Sequence, residues 1–308
     1  HRADNLVIVS RGGVTNYFYI FGGKDERSQD LIQGITLAGV FFDEVALMPE
    51  SFVNQATGRC SIDGSKYWFN CNPDGPYHWF KLNWIDKREE KHLLYLHFTM
   101  DDNLSLSEKI KERYRSMYTG VFYRRYILGL WAMAEGIIYD MFDTAKHVIS
   151  SLSGLVNANY YVSCDYGTQN ATVFLLWCKD ELGRWVCCRE YYYSGRDEER
   201  QKTDSEYADD LEQWLAGIKP VKIIIDPSAA SFIAELKKRG YTIKKAKNDV
   251  LDGIRFVASL LNQGKIVISD QCPNTIKEFG SYIWDQKASE RGEDKPIKKH
   301  DHAMDALR

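Results

Sequence analysis

The chain has 308 residues, 44% of them hydrophobic, and a formal net charge of −3. That length accommodates about two domains of 100–200 residues each, and that composition can bury real cores. The slightly acidic balance excludes polyanion binding through overall charge, so any nucleic-acid surface has to be a local basic patch. In chain order, residues 6–10 and 16–22 read as strands. Gly22-Gly23-Lys24 has a faint likeness to a phosphate loop but lacks the G-x-x-x-x-G-K-[ST] spacing and reads as a hairpin end; nothing elsewhere supplies that loop. Residues 37–44 are a buried strand ending in Asp43-Glu44. This is a Walker B pattern, in which Asp43 would hold a nucleotide's Mg²⁺ and Glu44 would orient or deprotonate the attacking water. The ordinary alternative is a strand running into a helix N-terminus, where acids are favoured anyway. Residues 66–73 form another aromatic strand, ending in Asn70-Cys71-Asn72-Pro73. Beside the first strand it could place Asn70 or Asn72 near a γ-phosphate; the alternative is an Asn-Pro turn.

Residues 106–118 read as a charged helix, and 120–131 carry a Tyr-Arg-Arg-Tyr cluster. For Arg124 and Arg125 a solvated face or a salt bridge is preferred slightly over a phosphate contact or an interdomain clamp. Residues 143–159 look polar and irregular, with 150–154 as the loop core, and we expect two domains, 1–145 and 146–308. In the second, an apolar run climbs through Cys164 to Asp165 and breaks at Gly167. Strands over 171–177 and 184–193, joined by the turn 180–183, complete a meander. A helix over 204–218 crosses to a short, nearly continuous apolar run, 221–225, as expected for a strand buried on both faces. That run ends in Asp226, and Pro227 stops it. Next come a helix over 231–240, a strand over 241–245, a helix over 250–263 closed by Gly264, a strand over 265–269 and a helix over 273–284. A charged loop, 285–298, leads into a final helix. A meander, a helix and then a buried strand is the order of a ribonuclease-H-like sheet.

In the last helix Asp301 and Asp305 are four apart and His302 and Asp305 three apart, so they share a face. If carboxylates from two strand ends and one helix converge, they repel one another unless neutralised. Hard divalent cations resolve that, since Mg²⁺ or Mn²⁺ takes oxygen ligands. Two such ions ~3.5–4 Å apart can activate water and stabilise the leaving oxygen of a phosphodiester. Basic residues cluster at Lys237-Lys238-Arg239, at Lys244, Lys245 and Lys247, and at Lys295, Lys298, Lys299 and His300. Each cluster alone is an ordinary solvated surface, yet such groups suit salt-dependent, sequence-independent phosphate contact. We read Asp305 as a ligand before Asp301, which has a rival role as N-cap. His302 reads as a partner of a ligand, or as base for the attacking water, rather than as a ligand itself.

Taken together, Phe41-Phe42-Asp43-Glu44, Asn70-Cys71-Asn72-Pro73, His78-Trp79, the segments 98–103 and 123–131, and Glu135-Gly136-Ile137-Ile138-Tyr139 resemble the ATPase half of a tailed-phage large terminase subunit. Asp165, Asp226 and Asp301-His302-Ala303-Met304-Asp305 resemble its ribonuclease-H-like nuclease half. The resemblance implies an α/β protein, the C-terminal part of a P-loop-type ATPase domain followed by a metal-dependent endonuclease that cuts concatemeric double-stranded DNA. It implies Asp43 as the Walker B magnesium residue, Glu44 as the catalytic glutamate and Asn70 to Asn72 as the coupling motif. Asp165, Asp226 and Asp305 fall on the nuclease metal ligands, holding two Mg²⁺ or Mn²⁺ ions. His302 falls on a histidine that some members carry beside the last aspartate. ATP-Mg in the full-length protein, a portal protein and a small terminase subunit as partners, and the host cytoplasm with transient docking on the procapsid portal follow from the same resemblance.

The family's Walker A loop lies upstream of these residues, so ATP turnover by this stretch alone is not expected. The chain begins at His1 without Met and stops inside a helical pattern at Arg308, and we expect a fragment. Rival readings are another ribonuclease-H-like nuclease such as a resolvase, or a non-cleaving motor or scaffold whose carboxylates are structural. The seven cysteines are scattered, with no CxxC pair, which points to a reducing compartment, no structural zinc and unpaired thiols. No apolar run is long enough to span a membrane and no signal peptide is visible.

Overall fold

The computed structural model describes residues 5–23, 25–150, 152, 159–167 and 170–308. Lys24 and most of the expected loop core at 150–154 lie outside them. The chain forms two compact units, one of residues 1–97 with 129–131, the other of 98–128 with 132–308.

In the first unit, β1 (Leu6–Arg11) and β2 (Val14–Tyr19) pair antiparallel. Their two-residue turn is Gly12-Gly13, both at positive φ, the backbone that a tight hairpin matched to strand twist requires. The hairpin end expected at Gly22-Gly23 is therefore ten residues earlier. Strand β3 (Gly39–Phe42) pairs in parallel with β4 (Lys66–Phe69), and α1 (Glu50–Gly58) follows β3. Phe42 stacks on Phe69 with ring centroids 5.1 Å apart, and Phe69 meets Trp84 at 4.7 Å. With Val45, Phe52 and Phe80 they form this unit's core.

The second unit is a seven-stranded sheet in the order β10-β9-β6-β7-β8-β11-β5. The meander is β6 (Tyr161–Asp165), β7 (Ala171–Lys179) and β8 (Trp185–Ser194), all antiparallel. Strands β9 (Lys222–Ile225) and β10 (Ile243–Lys245) extend it in parallel on the β6 side. Strand β11 (Ile266–Ser269) pairs in parallel with β8, and β5 (Val148–Ile149) with β11. The eight residues Ala171 to Cys178 of β7 are all buried, because the sheet is covered on both sides and successive side chains alternate between them. Val173, Leu175 and Trp177 pack with α7 (Val250–Asn262), α8 (Pro273–Ser281) and α10 (His302–Leu307). Phe174, Leu176 and Cys178 pack with α5 (Asp204–Leu215) and α6 (Ala230–Lys238).

Two expectations need correction. Residues 143–159 are not irregular throughout: Thr144–His147 is a helical turn, α4, and Val148–Ile149 supplies the edge strand. His147 anchors it, with Nε2 3.0 Å from the Leu261 carbonyl. The compact packing units are a separate matter from the expected domains 1–145 and 146–308. Helices α2 (Glu108–Met117) and α3 (Gly120–Tyr126) and the segment after them belong to the second unit, because Val121, Phe122, Ala134, Ile138 and Tyr139 find their core on the α7–α8 face of its sheet. A helical turn, α9 (Gln286–Ser289), interrupts the expected charged loop at 285–298. All seven cysteines are unbridged; the Sγ atoms of Cys178 and Cys188 stand 3.3 Å apart.

Arg125 takes the salt-bridge reading. It is buried, donates through Nε and Nη2 to the Ala132 carbonyl at 2.9 and 2.6 Å, and pairs with Asp294, whose side chain is equally buried. Removing one member of such a pair strands the other charge. Arg125→Ala is expected to lower the unfolding free energy by about 3–5 kcal/mol, and Arg125→Met combined with Asp294→Leu to recover most of it. Denaturant titration checks both; a loss below about 1 kcal/mol would place the pair among weak surface bridges.

Candidate active site

Alternation along β6 decides where Asp165 points. Val162 and Cys164 belong to the α5–α6 face, so Asp165 emerges toward α10. Strand β9 runs parallel beside it, paired up to Cys164 with Ile225, and Asp226 follows at the next step. The two carboxylates thus leave the carboxyl ends of adjacent parallel strands, the edge at which α/β sheets bind ligands. Across from them α10 brings His302 and Asp305, and the turn before it brings Lys298, Lys299 and Asp301. His300 in that turn holds a left-handed backbone, φ +51°, a conformation non-glycine residues adopt at some cost.

His302 Nδ1 lies 3.0 Å from Asp165 Oδ2. That contact raises the imidazole's pKa against the opposing effect of burial. Burial raises Asp165 itself, the His302 contact lowers it, and Asp305 and Asp301 push it up again. Asp301 is almost enclosed, and its Oδ2 has no hydrogen-bond partner, only the Lys298 ammonium at 3.2 Å. Lys298 also lies 2.8 Å from Asp305 Oδ2, while Arg308 reaches Asp305 Oδ1 through Nε at 2.9 Å and Nη2 at 2.7 Å. Gly253 in α7 admits Arg308 there, since a Cβ on it would stand 3.0 Å from the Arg308 Cβ. Asp165, Lys298, Asp301, His302 and Asp305 wall a cavity of about 370 Å³ together with Tyr192, Arg196 and Lys299.

Asp226 stands apart from that wall. Its Oδ1 accepts from the Ser228 amide at 2.6 Å. Burial alone would raise its pKa, but the bonds from Ser228 and Asn248 and the charge of Arg308 outweigh burial and lower it. Among the described residues no three carboxylates, imidazoles or thiols are gathered tightly enough to cage an ion as they stand. The donor set is nonetheless hard oxygen with one imidazole, and the buried Asp301 Oδ2, met only by the Lys298 ammonium, is an acceptor that suits a cation.

The four residues singled out in the first unit also meet. Asn70 donates through Nδ2 to Asp43 Oδ1 at 2.9 Å and accepts the Glu44 amide on Oδ1 at 2.7 Å. Asn72 Nδ2 is 3.5 Å from Glu44 Oε2. Glu44 is left-handed, φ +56°, a strain of the kind found at functional sites.

Residues 1–146 match the family described as "Terminase large subunit, T4likevirus-type, N-terminal", and residues 179–308 match "Terminase RNaseH-like domain". The large terminase of a thermophilic bacteriophage superposes with a TM-score of 0.93 at 63% identity, over 99% of this chain and 76% of that one. This chain belongs to the phage terminase large-subunit family. The same thermophilic-phage terminase in complex with ATP-gamma-S aligns at 61% identity and a TM-score of 0.90, over 99% of this chain and 75% of that one. The large terminase subunit of Escherichia phage T5 is 24% identical over 237 residues, 73% of this chain, and the chain spans about half that relative's length (51%). The α/β fold, with its ribonuclease-H-like second part, is thus that of a large terminase.

In this terminase chain the N-cap of α10 is not where the sequence suggests. Asp301 occupies the cap position but makes no side-chain cap bond. Glu278 of α8 does the work instead: Oε2 accepts the amides of Ala303 at 2.7 Å and Met304 at 3.2 Å, and Oε1 accepts the Tyr192 hydroxyl at 2.9 Å. Glu278 carries no motif spacing, and only a lone acid in an amphipathic helix marks it in the sequence. Burial pushes its pKa up to about 7, against the lowering effect of the Tyr192, Met304 and Ala303 bonds and of His302. An acid whose folded pKa is raised keeps its proton longer when folded, so its contribution to stability falls as pH rises from about 4.5 to about 7. Glu278→Gln mimics the protonated form. It is expected to flatten that fall, by up to about 3 kcal/mol at pH 8, in melting curves at pH 5 and pH 8. Parallel pH profiles for parent and variant would remove Glu278 as the source.

Proposed function

We propose that the second part of this chain is a divalent-metal-dependent endonuclease acting on double-stranded DNA. The observation that carries the proposal is the meeting of Asp165 and His302, 3.0 Å apart, in a cavity wall that also bears Asp301 and Asp305. Asp165, Asp226 and Asp305 would hold the metal, Asp226 by turning from its own Ser228 amide. When bound, Mg²⁺ or Mn²⁺ supplies an activated water and charge stabilisation at the leaving oxygen. His302, with its proton affinity raised by Asp165, can take the proton of the attacking water. Arg196, Lys299 and His300 line the cavity and can contact the phosphates beside the cut. In the longer protein, Asp43 and Glu44 would serve ATP-driven packaging through a portal protein, with a small terminase subunit as further partner, in the host cytoplasm. The ATP-gamma-S complex of the thermophilic-phage relative supports the nucleotide part of this reading. We take the evolutionary boundary between the two functions to lie near residue 145, where the first family match also ends.

The ion pairs of Asp305 favour one rival, a protein whose carboxylates are purely structural. Supercoiled-plasmid nicking with Mn²⁺ separates the two. Asp165→Asn, Asp226→Asn and Asp305→Asn should each bring nicking to background while remaining folded, and Mn²⁺ should raise the parent's melting temperature more than theirs. His302→Ala should slow nicking by on the order of 100-fold yet keep most of the Mn²⁺-induced stabilisation. Undiminished cutting by Asp165→Asn would hand the case to the structural rival. ATP turnover by these 308 residues should not exceed that of a Glu44→Gln control, because no phosphate-cradling loop with its lysine is among them.

A further inference from the structure

Both oxygens of Asp305 are already paired with cations, and the two cations are held very differently. Arg308 lies against Asp305 Oδ1 through two nitrogens, is largely enclosed, and packs on Gly253. Lys298 reaches Asp305 Oδ2 at 2.8 Å and the buried Asp301 Oδ2 at 3.2 Å from a side chain that is 61% exposed. Its ammonium is a compact charge on a flexible four-carbon stem, whereas a guanidinium fork is planar and pre-organised. Of the two cations, Lys298 is the one that can leave. It sits where Asp301 and Asp305 jointly face the cavity, and it lines that cavity with Lys299 and His300.

We infer that Lys298 is a resident counter-cation that competes with the divalent metal for the Asp301–Asp305 edge, and that it is released to a DNA phosphate when substrate enters the cavity. The inference rests on the nuclease reading above. Two positive charges cannot share that edge without repulsion, so metal affinity is reduced by the fraction of molecules in which Lys298 occupies it. An arriving phosphate offers the ammonium another anion. Substrate then raises metal affinity, and by linkage metal raises DNA affinity by the same factor. Free carboxylates would otherwise hold metal whether or not DNA is present, so the lysine makes loading conditional on substrate.

The test is a Mn²⁺ titration followed by melting temperature, with and without a short phosphorothioate duplex, on the parent, Lys298→Met and Lys298→Arg. Without DNA, Lys298→Met should reach half-saturation at a Mn²⁺ concentration on the order of tenfold lower than the parent. Lys298→Arg, which keeps the charge, should stay near the parent. Duplex should shift the parent toward the Lys298→Met value and leave Lys298→Met where it was. A parent that responds to Mn²⁺ beside a Lys298→Met that matches it overturns the inference alone, and weaker DNA binding with an unchanged Mn²⁺ titration would make Lys298 a plain phosphate contact. A parent with no Mn²⁺ response removes the metal reading itself, and this inference with it.

Discussion

A six-residue helix cannot hold itself in water, yet α10 has to keep His302 against Asp165 and Asp305 beside them. Its last turn is secured by apolar contact, with Ala303, Met304 and Ala306 sunk into the core shared with α7 and α8. Its first turn is secured by the Glu278 carboxylate, which closes two amides that would otherwise be buried without acceptors. Tyr192 ties that same carboxylate to β8. The helix is therefore fixed at both ends to the sheet that carries Asp165, and the spacing of the site follows from that fixation rather than from any stiffness of the helix.

The second constraint is charge. Asp165, Asp301 and Asp305 crowd one wall, and each carries its own compensation: His302 for Asp165, Lys298 for Asp301, Lys298 and Arg308 for Asp305. This arrangement lets acids stay folded at close quarters, at the cost of occupying acceptors that a metal would use. Asp226 follows the same logic one strand away, satisfied by the Ser228 amide. Elsewhere the molecule uses ion pairing more conventionally, as in the enclosed Arg125–Asp294 pair between α3 and the loop before α10.

In the first unit a single amide organises the polar end of the parallel pair. Asn70 bonds the Asp43 side chain and the Glu44 backbone together, so it fixes the strained turn at Glu44 as well as the direction of Asp43. An Asn in this place is more than a turn former, because its amide has both a donor and an acceptor to give.

The sequence by itself determined the elements and most of the reacting groups. Strong apolar runs ended in Asp165 and Asp226, helical spacing joined His302 to Asp305, and the strands of Asp43 and Asn70 were visible as aromatic runs. Those signals are local: period, breaker and spacing report on a few neighbouring residues. Only the tertiary structure decided that 98–128 and 132–145 pack with the second unit, that Val148–Ile149 is an edge strand, and that Asp226 turns to Ser228. It also decided that Glu278, not Asp301, closes α10, and that Lys298 and Arg308 share out the oxygens of Asp305. These last are matters of which polar atom finds which partner: Glu278 meets amides 25 and 26 positions along the chain, while Lys298 and Arg308 meet Asp305 from seven positions before it and three after. A hydrogen bond of that kind is selected by burial and by the packing of the sheet faces, and no short stretch of sequence encodes it.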